Sequence, residues 1–224
     1  MMRFSKPLRT YVVCRAAVLL TISAFLVLTL AAASLALTAE EFYGNAQEIK
    51  DINAFAATCQ SAHETGFWTS HLWKKANNGA GIKADKNWIK SGRPAVRKKS
   101  GESVGGKTVY RESYFRAYSS LDEFLADYRV KITRDYPLAA KHSDTMWGYF
   151  SSLQKGRNGS WATTQRYFEY MADKALRLAP KLLGTEWRAQ LLEEYREARA
   201  RGLLSKKEIV IVEKKLVAAG ISTK

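Results

Sequence analysis

The chain has 224 residues, of which 46% are hydrophobic and 25% are charged. This composition excludes a disordered protein and suits one domain with short extensions. The formal net charge is +15; when the four basic residues ahead of a long apolar run are subtracted, the rest of the chain carries +11. An excess of this size favours an anionic partner, such as a nucleic acid, an acidic lipid surface or an anionic wall polymer.

The apolar run covers residues 16–39, which contain no charge, and it follows Arg3, Lys6, Arg9 and Arg15. Basic residues before such a run keep the N-terminus in the cytoplasm and direct the following chain across the membrane. The run exceeds the ~7–15 residues of an ordinary signal core and reaches the ~20 residues that span a bilayer. We therefore favour a signal anchor at residues 1–39. A cleaved signal peptide is the alternative, because small residues suit cleavage near the end of the run.

This N-terminal pattern predicts where the protein acts. The part after residue 39 is expected in the cell envelope, outside the cytoplasm. It would be anchored in the inner membrane through residues 16–39, or secreted to the periplasm or the extracellular space. A location outside the cytoplasm argues against a nucleic-acid partner.

The chain has two cysteines and three histidines, and no Cys/His cluster has the spacing of a metal site. Cys14 lies on the cytoplasmic side of the apolar run and Cys59 on the apolar face of a predicted helix, so no disulfide framework is indicated. The sequence predicts no metal and no cofactor.

A stem at residues 40–50 is followed by apolar residues that recur with helical spacing over residues 52–62. Asp51 is expected to cap the start of this helix, and Gly66 is expected to end it. Glu64 would then lie in the last helical turn.

The middle of the chain, residues 76–107, is rich in Gly, Asn and Lys. The pair Gly105-Gly106 predicts the turn of a β-hairpin near residues 95–117. Later helices are predicted after a Ser120–Glu123 capping box, after Asp144, from Thr164 to just before Pro180, from Thr185 to Arg201, and after a second capping box, Ser205–Glu208.

These elements predict an α+β domain at residues 51–182, mostly helical with a small β-hairpin lobe. Residues 183–224 are predicted to form a C-terminal helical pair. Its amphipathic faces could pack on the domain, bind a partner or rest on a membrane.

Glu64 has surroundings that suit a proton donor. A carboxylate in the last turn faces the negative end of the helix macrodipole, which disfavours its ionisation. Its apolar neighbours Phe67 and Trp68 are expected to add a desolvation effect of the same sign. Both effects raise the pKa, as a general acid near neutral pH requires. The alternative is an ordinary solvated carboxylate at a helix end.

Four sequence blocks occur in the order and spacing of glycoside hydrolase family 73: "AATCQSAHETGFW", "NNGAGIKADKNW", "YFRAYSSLDEFLADY" and "GSWATTQRYFEYM". The chain resembles this family of peptidoglycan endo-β-N-acetylglucosaminidases, of flagellar and autolysin type, over roughly residues 50–180. The resemblance implies a lysozyme-like fold and a glucosaminidase catalytic domain at residues 51–182. It also implies cleavage of the β-1,4 bond after N-acetylglucosamine in peptidoglycan glycan strands, with Glu64 as the general acid.

Glycoside hydrolysis usually needs a second carboxylate. In the family this group lies in the β-lobe about a dozen residues before the "FRAY" block, a place that Glu102 matches. Glu112 is the alternative, although it is expected to point into solvent. A third route is attack by the acetamide of the substrate itself, which needs only Glu64 and groups that orient the amide.

Substrate binding is expected to use aromatic faces and hydrogen bonds. The alternative is a packing role for Tyr167 and Tyr118 and a turn-forming role for Asn78, and Arg116 is expected to pair with Asp127 or Glu123. The candidates are Trp68, Asn78, Trp88, Tyr118, Trp161 and Tyr167.

Two rival functions remain open at this point. One is a catalytically silent module that binds the wall or acts as a scaffold. The other is a phage lysis enzyme whose apolar run is an export signal that later leaves the membrane.

Overall fold

The computed structural model of the chain describes residues 37–104 and 107–223, without the side chains at 100–109 and 111. Most of the predicted anchor or signal, residues 1–36, lies outside the described residues, and so does the turn at Gly105-Gly106. Among the residues described, no helix combines the length and apolar character needed to cross a membrane.

The described part contains helices and one two-stranded antiparallel sheet, so the expected mostly helical α+β domain with a small hairpin is present. In chain order the elements are α1 (Ala39–Gln47), α2 (Ala54–Thr65), α3 (His71–Ala76), α4 (Lys86–Lys90), β1 (Ala95–Val104), β2 (Lys107–Arg116), α5 (Leu121–Asp135), α6 (Pro137–Lys141), α7 (Met146–Ser152), α8 (Tyr167–Leu182), α9 (Trp187–Ala200) and α10 (Lys206–Ala218).

Helix α1 begins at Ala39 and covers most of the segment predicted as a stem at residues 40–50. It begins at a capping box in which the Thr38 side chain accepts from the Glu41 N–H and Glu41 accepts from the Thr38 N–H. Phe42 and Ala46 are buried in the core, where α1 packs against α2 and α8. The segment is therefore part of the helical body.

Helix α2 begins two residues later than predicted. Asn53 caps it by accepting a hydrogen bond from the Ala56 N–H at 2.8 Å. Asp51 has φ +64°, outside the extended conformation of an N-cap residue, and its carboxylate pairs with Arg129 instead. The predicted end is confirmed: Gly66 adopts φ +59°, so Glu64 lies in the last turn of α2.

The predicted hairpin is also confirmed. Its strands pair from Ala95 opposite Arg116 to Val104 opposite Lys107. At the base of the hairpin, the Arg116 N–H donates to the Ile82 carbonyl at 2.9 Å. This bond fixes β2 to the loop that precedes α4.

Three predicted helix starts differ in their capping groups. Ser120 caps α5 as predicted, but Glu123 accepts from the Ser119 N–H rather than completing a box with Ser120. Helix α7 is capped by Thr145, and helix α8 begins after Arg166, with Pro180 inside its last turn. Asp144 was predicted to cap α7, and α8 was predicted to begin at Thr164. Asp144 instead pairs with Arg201 at 2.6 Å.

The C-terminal pair α9 and α10 packs on the helical body. Helix α9 contacts α7 and α8, and α10 contacts α8. The predicted capping box of Ser205 and Glu208 at the start of α10 is confirmed. The buried side chains of the pair belong to the same apolar core as α2 and include Leu191, Tyr195, Val212 and Leu216.

One buried carboxylate links this pair to the body. Glu194 of α9 accepts a hydrogen bond from the Met146 N–H, the first residue of α7, at 2.5 Å. Burial raises the pKa of Glu194 to about 7; the Met146 N–H opposes this shift, and Glu197 and Asp144 add to it. Glu194 is therefore largely protonated in the folded protein at mildly acidic pH.

We predict that Glu194→Gln removes a pH dependence of stability. The pKa of Glu194 is about 7 in the folded protein against an ordinary value of 4.5, so the folded state binds the extra proton between these values. Wild-type stability should fall as pH rises through this window, by at most about 3 kcal/mol. Urea unfolding of the full chain at pH 5 and pH 8 should show a smaller decrease for Glu194→Gln. The control is Glu193→Gln, an exposed neighbour on α9; equal decreases in all three proteins would contradict the prediction.

Candidate active site

Glu64 stands at the C-terminal end of α2, with one side open to solvent. Its carboxyl group is held by a contact from α8. The Tyr167 hydroxyl, from the first residue of α8, donates a hydrogen bond to Glu64 Oε1 at 3.0 Å. Trp161, in the loop between α7 and α8, is close enough to the Glu64 carboxyl to influence its pKa.

Burial raises the pKa of Glu64; the hydrogen bond from Tyr167 and a smaller effect of Trp161 oppose the shift without cancelling it. The position in the last turn of α2 acts in the same direction as burial, because the helix macrodipole is negative there. The direction of this pKa shift agrees with the prediction. Glu64 can therefore hold a proton at higher pH than an ordinary glutamate and remain accessible from solvent.

Trp161 is held in place beside Glu64 by the loop and by aromatic neighbours. The backbone N–H of Trp161 donates to the Leu153 carbonyl at 2.9 Å. Its ring lies 5.1 Å from the ring of Tyr136 and 6.1 Å from that of Tyr128. Trp161 is half-buried, so part of the residue remains accessible to solvent.

His63 packs on the other side of Tyr167. Its ring stacks on Tyr170 at 5.3 Å and meets the Tyr167 ring edge-on at 5.8 Å. Burial, with a smaller effect from Lys174, lowers the pKa of His63. At neutral pH His63 is therefore an uncharged support for Tyr167.

Behind Tyr167 lies a buried polar chain that was not predicted. Gln60 Nε2 donates to the Tyr167 hydroxyl oxygen at 2.9 Å, and the Tyr128 hydroxyl donates to Gln60 Oε1. The hydroxyls of Tyr128 and Tyr149 are 2.9 Å apart. One signal in the sequence was available: Gln60 precedes Glu64 by four residues, which places the two side chains on one face of α2.

Four of the predicted substrate-binding residues are buried in other contacts. Trp68 stacks on Phe42 with ring centroids 5.4 Å apart, and its Nε1 donates to Ser61 Oγ at 2.9 Å. Asn78 donates to the carbonyls of Ile82 and Arg116 and accepts from the Ile82 N–H. These contacts leave neither the Trp68 ring nor the Asn78 amide open to a ligand.

Trp88 and Tyr118 pack where the hairpin meets α5. Trp88 is covered on its faces by Arg93 at 3.4 Å and Arg116 at 4.4 Å from the ring centroid. The Tyr118 hydroxyl donates to Asp127 at 2.7 Å. Both rings are buried.

The expected pairing of Arg116 with Asp127 is present, at 2.8 Å. Arg116 also pairs with Asp85 at 2.9 Å, whereas Glu123 bonds to Ser119. Because Arg116 ends β2, Asp127 belongs to α5 and Asp85 caps α4, this cluster ties the hairpin to the helical body.

The hairpin carries both candidates for a second carboxylate. Glu102 lies in β1 opposite Val109, and its side chain is outside the described part of the structure. Glu112 lies in β2, is exposed as expected, and pairs with Arg97 at 3.3 Å. Its position in the exposed ion pair does not suit a catalytic group.

No group of His, Cys, Asp and Glu side chains within residues 37–104 and 107–223 is arranged to hold a metal ion. Cys59 is a free, buried thiol on α2. Burial raises the pKa of this thiol, so it remains protonated and unreactive.

A glucosaminidase family model, described as mannosyl-glycoprotein endo-beta-N-acetylglucosaminidase, matches residues 40–179. The match contains Glu64, Trp161, Tyr167 and the entire hairpin. The chain belongs to the glucosaminidase family. This glucosaminidase is therefore a glycoside hydrolase, and the resemblance to glycoside hydrolase family 73 is confirmed.

The glucosaminidase is also similar to several solved structures, while no curated protein matches it. The truncated glycoside hydrolase domain of Salmonella typhimurium FlgJ is 24% identical, with 62% of this chain and 97% of that chain covered and a TM-score of 0.45. A peptidoglycan hydrolase mutant from Sphingomonas sp. A1 is 24% identical, with 70% and 96% covered and a TM-score of 0.49. The catalytic domain of the autolysin Auto from Listeria monocytogenes is 21% identical, with 75% and 94% covered and a TM-score of 0.48.

Proposed function

We propose that this glucosaminidase hydrolyses peptidoglycan by cleaving the β-1,4 bond after N-acetylglucosamine, with Glu64 as the general acid. The observation that carries the proposal is the solvent-accessible Glu64 carboxyl, whose pKa burial raises and which Tyr167 orients. A carboxylic acid with a raised pKa keeps its proton to higher pH than an ordinary glutamate, as protonation of a glycosidic oxygen requires.

The charge of the chain supports a wall polymer as the substrate. Outside the four basic residues ahead of the apolar run, the net charge is +11, which favours binding of an anionic polymer. The family description names a mannosyl-glycoprotein substrate, which is the second candidate. Both substrates present an N-acetylglucosamine β-1,4 bond, so the same acid would serve either.

In the proposed reaction Glu64 transfers its proton to the glycosidic oxygen as the bond from that oxygen to the sugar C1 breaks. Positive charge develops on C1 and the ring oxygen, and a nucleophile must reach C1 from the opposite face. Trp161, half-buried beside Glu64, offers apolar surface for a sugar at this position.

We propose Glu102 as the second catalytic group. As a general base it would take a proton from a water molecule that attacks C1, which requires roughly 6.5–9.5 Å between the two carboxyl groups. Its support is its place in β1, within the family match and ahead of the "FRAY" block. In the alternative, the acetamide oxygen of the substrate attacks C1, and Glu102 has no chemical role.

We also propose that residues 16–39 deliver the enzyme to the cell envelope, as an inner-membrane anchor or as a signal for secretion. The support is the uncharged run behind four basic residues. A phage lysis enzyme with an export-and-release signal would have the same pattern, and a silent wall-binding module would have the same fold. An assay of peptidoglycan hydrolysis distinguishes an active enzyme from the silent module, which would bind the wall without cleaving it.

We predict that Glu64→Gln lowers peptidoglycan hydrolysis by at least ~10²–10⁴-fold, because the amide has no proton to transfer. Glu48→Gln, at the exposed C-terminal cap of α1, is the matched control and should retain activity. Mass analysis of the borohydride-reduced products should find reduced N-acetylglucosamine at the new chain ends. Substantial activity of Glu64→Gln would refute the assignment, and cleavage of a high-mannose glycoprotein but not of peptidoglycan would transfer the proposal to the second substrate.

Glu102→Gln distinguishes the two mechanisms. If Glu102 is the general base, the variant should lose nearly as much activity as Glu64→Gln, and azide should restore turnover as a nucleophile that needs no base. Glu112→Gln, in the opposite strand, is the control. A mild loss without azide rescue would exclude Glu102 as the base and favour the acetamide route.

The location is tested by fusing alkaline phosphatase to the C-terminus of the full chain. The fused alkaline phosphatase should be active, because alkaline phosphatase folds with its disulfides only after export from the cytoplasm. Removal of residues 1–36 should abolish its activity. Reporter activity that does not depend on residues 1–36 would contradict the proposed role of the apolar run.

A further inference from the structure

The polar chain behind Glu64 connects four helices through the interior. Gln60 belongs to α2, Tyr128 to α5, Tyr149 to α7 and Tyr167 to α8. All four side chains are buried, with at most 2% of their surface exposed. Buried polar groups are costly unless they are hydrogen-bonded, and each of these groups bonds to the next.

The positions of the protons give this chain a direction. Tyr167 has one hydroxyl proton, which it donates to Glu64, so its oxygen can only accept from Gln60 Nε2. Tyr128 likewise donates its hydroxyl proton to Gln60 Oε1. Tyr149 must therefore be the donor in the hydrogen bond between Tyr128 and Tyr149. Every proton in the chain therefore points toward Glu64.

The amide of Gln60 is the point at which this direction is set. It has an acceptor on one side and donors on the other. The Tyr128 hydroxyl fixes Oε1 on its own side, and the NH₂ group must then face Tyr167. If the amide were reversed, its oxygen would accept the Tyr167 proton, and Glu64 would lose that hydrogen bond.

We propose that Gln60, Tyr128 and Tyr149 are positioning residues that hold the Tyr167 proton on Glu64 Oε1 and thereby tune the catalytic acid. This inference rests on the proposed role of Glu64. A bond donated to Oε1 disfavours protonation of that oxygen, so the transferable proton is kept on Oε2. The polar chain thus selects the oxygen that delivers the proton as well as the acidity of the group.

Among the described residues, Tyr167 and Tyr128 interact electrostatically with Glu64, and Tyr149 lies behind Tyr128. His63, on which Lys174 acts, packs against Tyr167. Burial raises the pKa of each of these tyrosines, so all three stay protonated. Burial, reinforced by Lys174, lowers the pKa of His63, so it stays neutral. Glu64 is the carboxylic acid among them, and burial raises its pKa. The decline of activity as pH rises therefore reports the ionisation of Glu64.

The test compares pH profiles of kcat/KM on purified peptidoglycan for the full chain and its variants. Tyr167→Phe removes a bond that stabilises the charged carboxylate, and the high-pH decline should move up by about one pH unit. Tyr128→Phe and Gln60→Met should move it in the same direction by less. Tyr149→Phe removes only the outermost hydroxyl and should have the smallest effect; it also provides the comparison if Tyr128→Phe folds poorly.

The matched control is Tyr195→Phe. Tyr195 is also buried, and its hydroxyl donates to Glu213 at 2.6 Å, but it lies on α9 outside the polar chain. This variant should lose stability in thermal unfolding without any change in the pH profile. A shift caused by general loosening of the core would appear in Tyr195→Phe as well, and would overturn the proposal.

Combining variants tests whether the effect passes through Tyr167. In a Tyr167→Phe background, Tyr128→Phe should cause no further shift, because the proton that it positions is already absent. An undiminished further shift would overturn the proposal, as would profiles of Tyr128→Phe and Gln60→Met that coincide with wild type. Substantial activity of Glu64→Gln would instead show that the proposed function, on which the inference rests, is wrong.

Discussion

The contact between α2 and α8 is the constraint on which the rest of this structure depends. Both helices bring small side chains into the core, such as Ala56 and Ala62 on α2 and Ala172 and Ala175 on α8. Close helix packing of this kind leaves little room for adjustment. It brings the last turn of α2 to the first turn of α8, so the Glu64 carboxyl and the Tyr167 hydroxyl meet at hydrogen-bonding distance.

Burial has opposite consequences for different members of the site. Desolvation raises the pKa of Glu64, so this carboxyl holds its proton to higher pH than an ordinary glutamate. It lowers the pKa of His63 and keeps that ring neutral. The polar groups behind Glu64 lose contact with water completely, so they must bond to one another. Because each of these groups is hydrogen-bonded to the next, the polar chain can cross the apolar core and end at the Glu64 carboxylate.

The hairpin is fixed by a separate cluster. Arg116 at the end of β2 pairs with Asp127 and Asp85, and its guanidinium lies over the Trp88 ring. Breaking a buried ion pair of this kind is costly because the partner charge is left uncompensated. The cluster therefore restrains the base of the strands that carry Glu102, the residue we propose as the second catalytic group. The residues expected from the sequence to bind sugar, Trp88 and Tyr118, instead serve this attachment.

The sequence by itself determined the mostly helical α+β class, the hairpin and the placement of Glu64 before a helix-ending glycine, because helical spacing, turn glycines and left-handed caps are local properties. It also carried the four blocks that identify the family. Tertiary structure alone decided which aromatic residues are accessible: Trp68, of the same block as Glu64, is buried against Phe42, whereas Trp161, distant in the chain, lies beside the acid. It also decided that Gln60, Tyr128, Tyr149 and Tyr167 form one hydrogen-bonded chain. The physical reason is that burial and hydrogen-bond partners depend on how distant segments of the chain pack together. The spacing of residues along one helix does not specify which side chain of another helix will contact it.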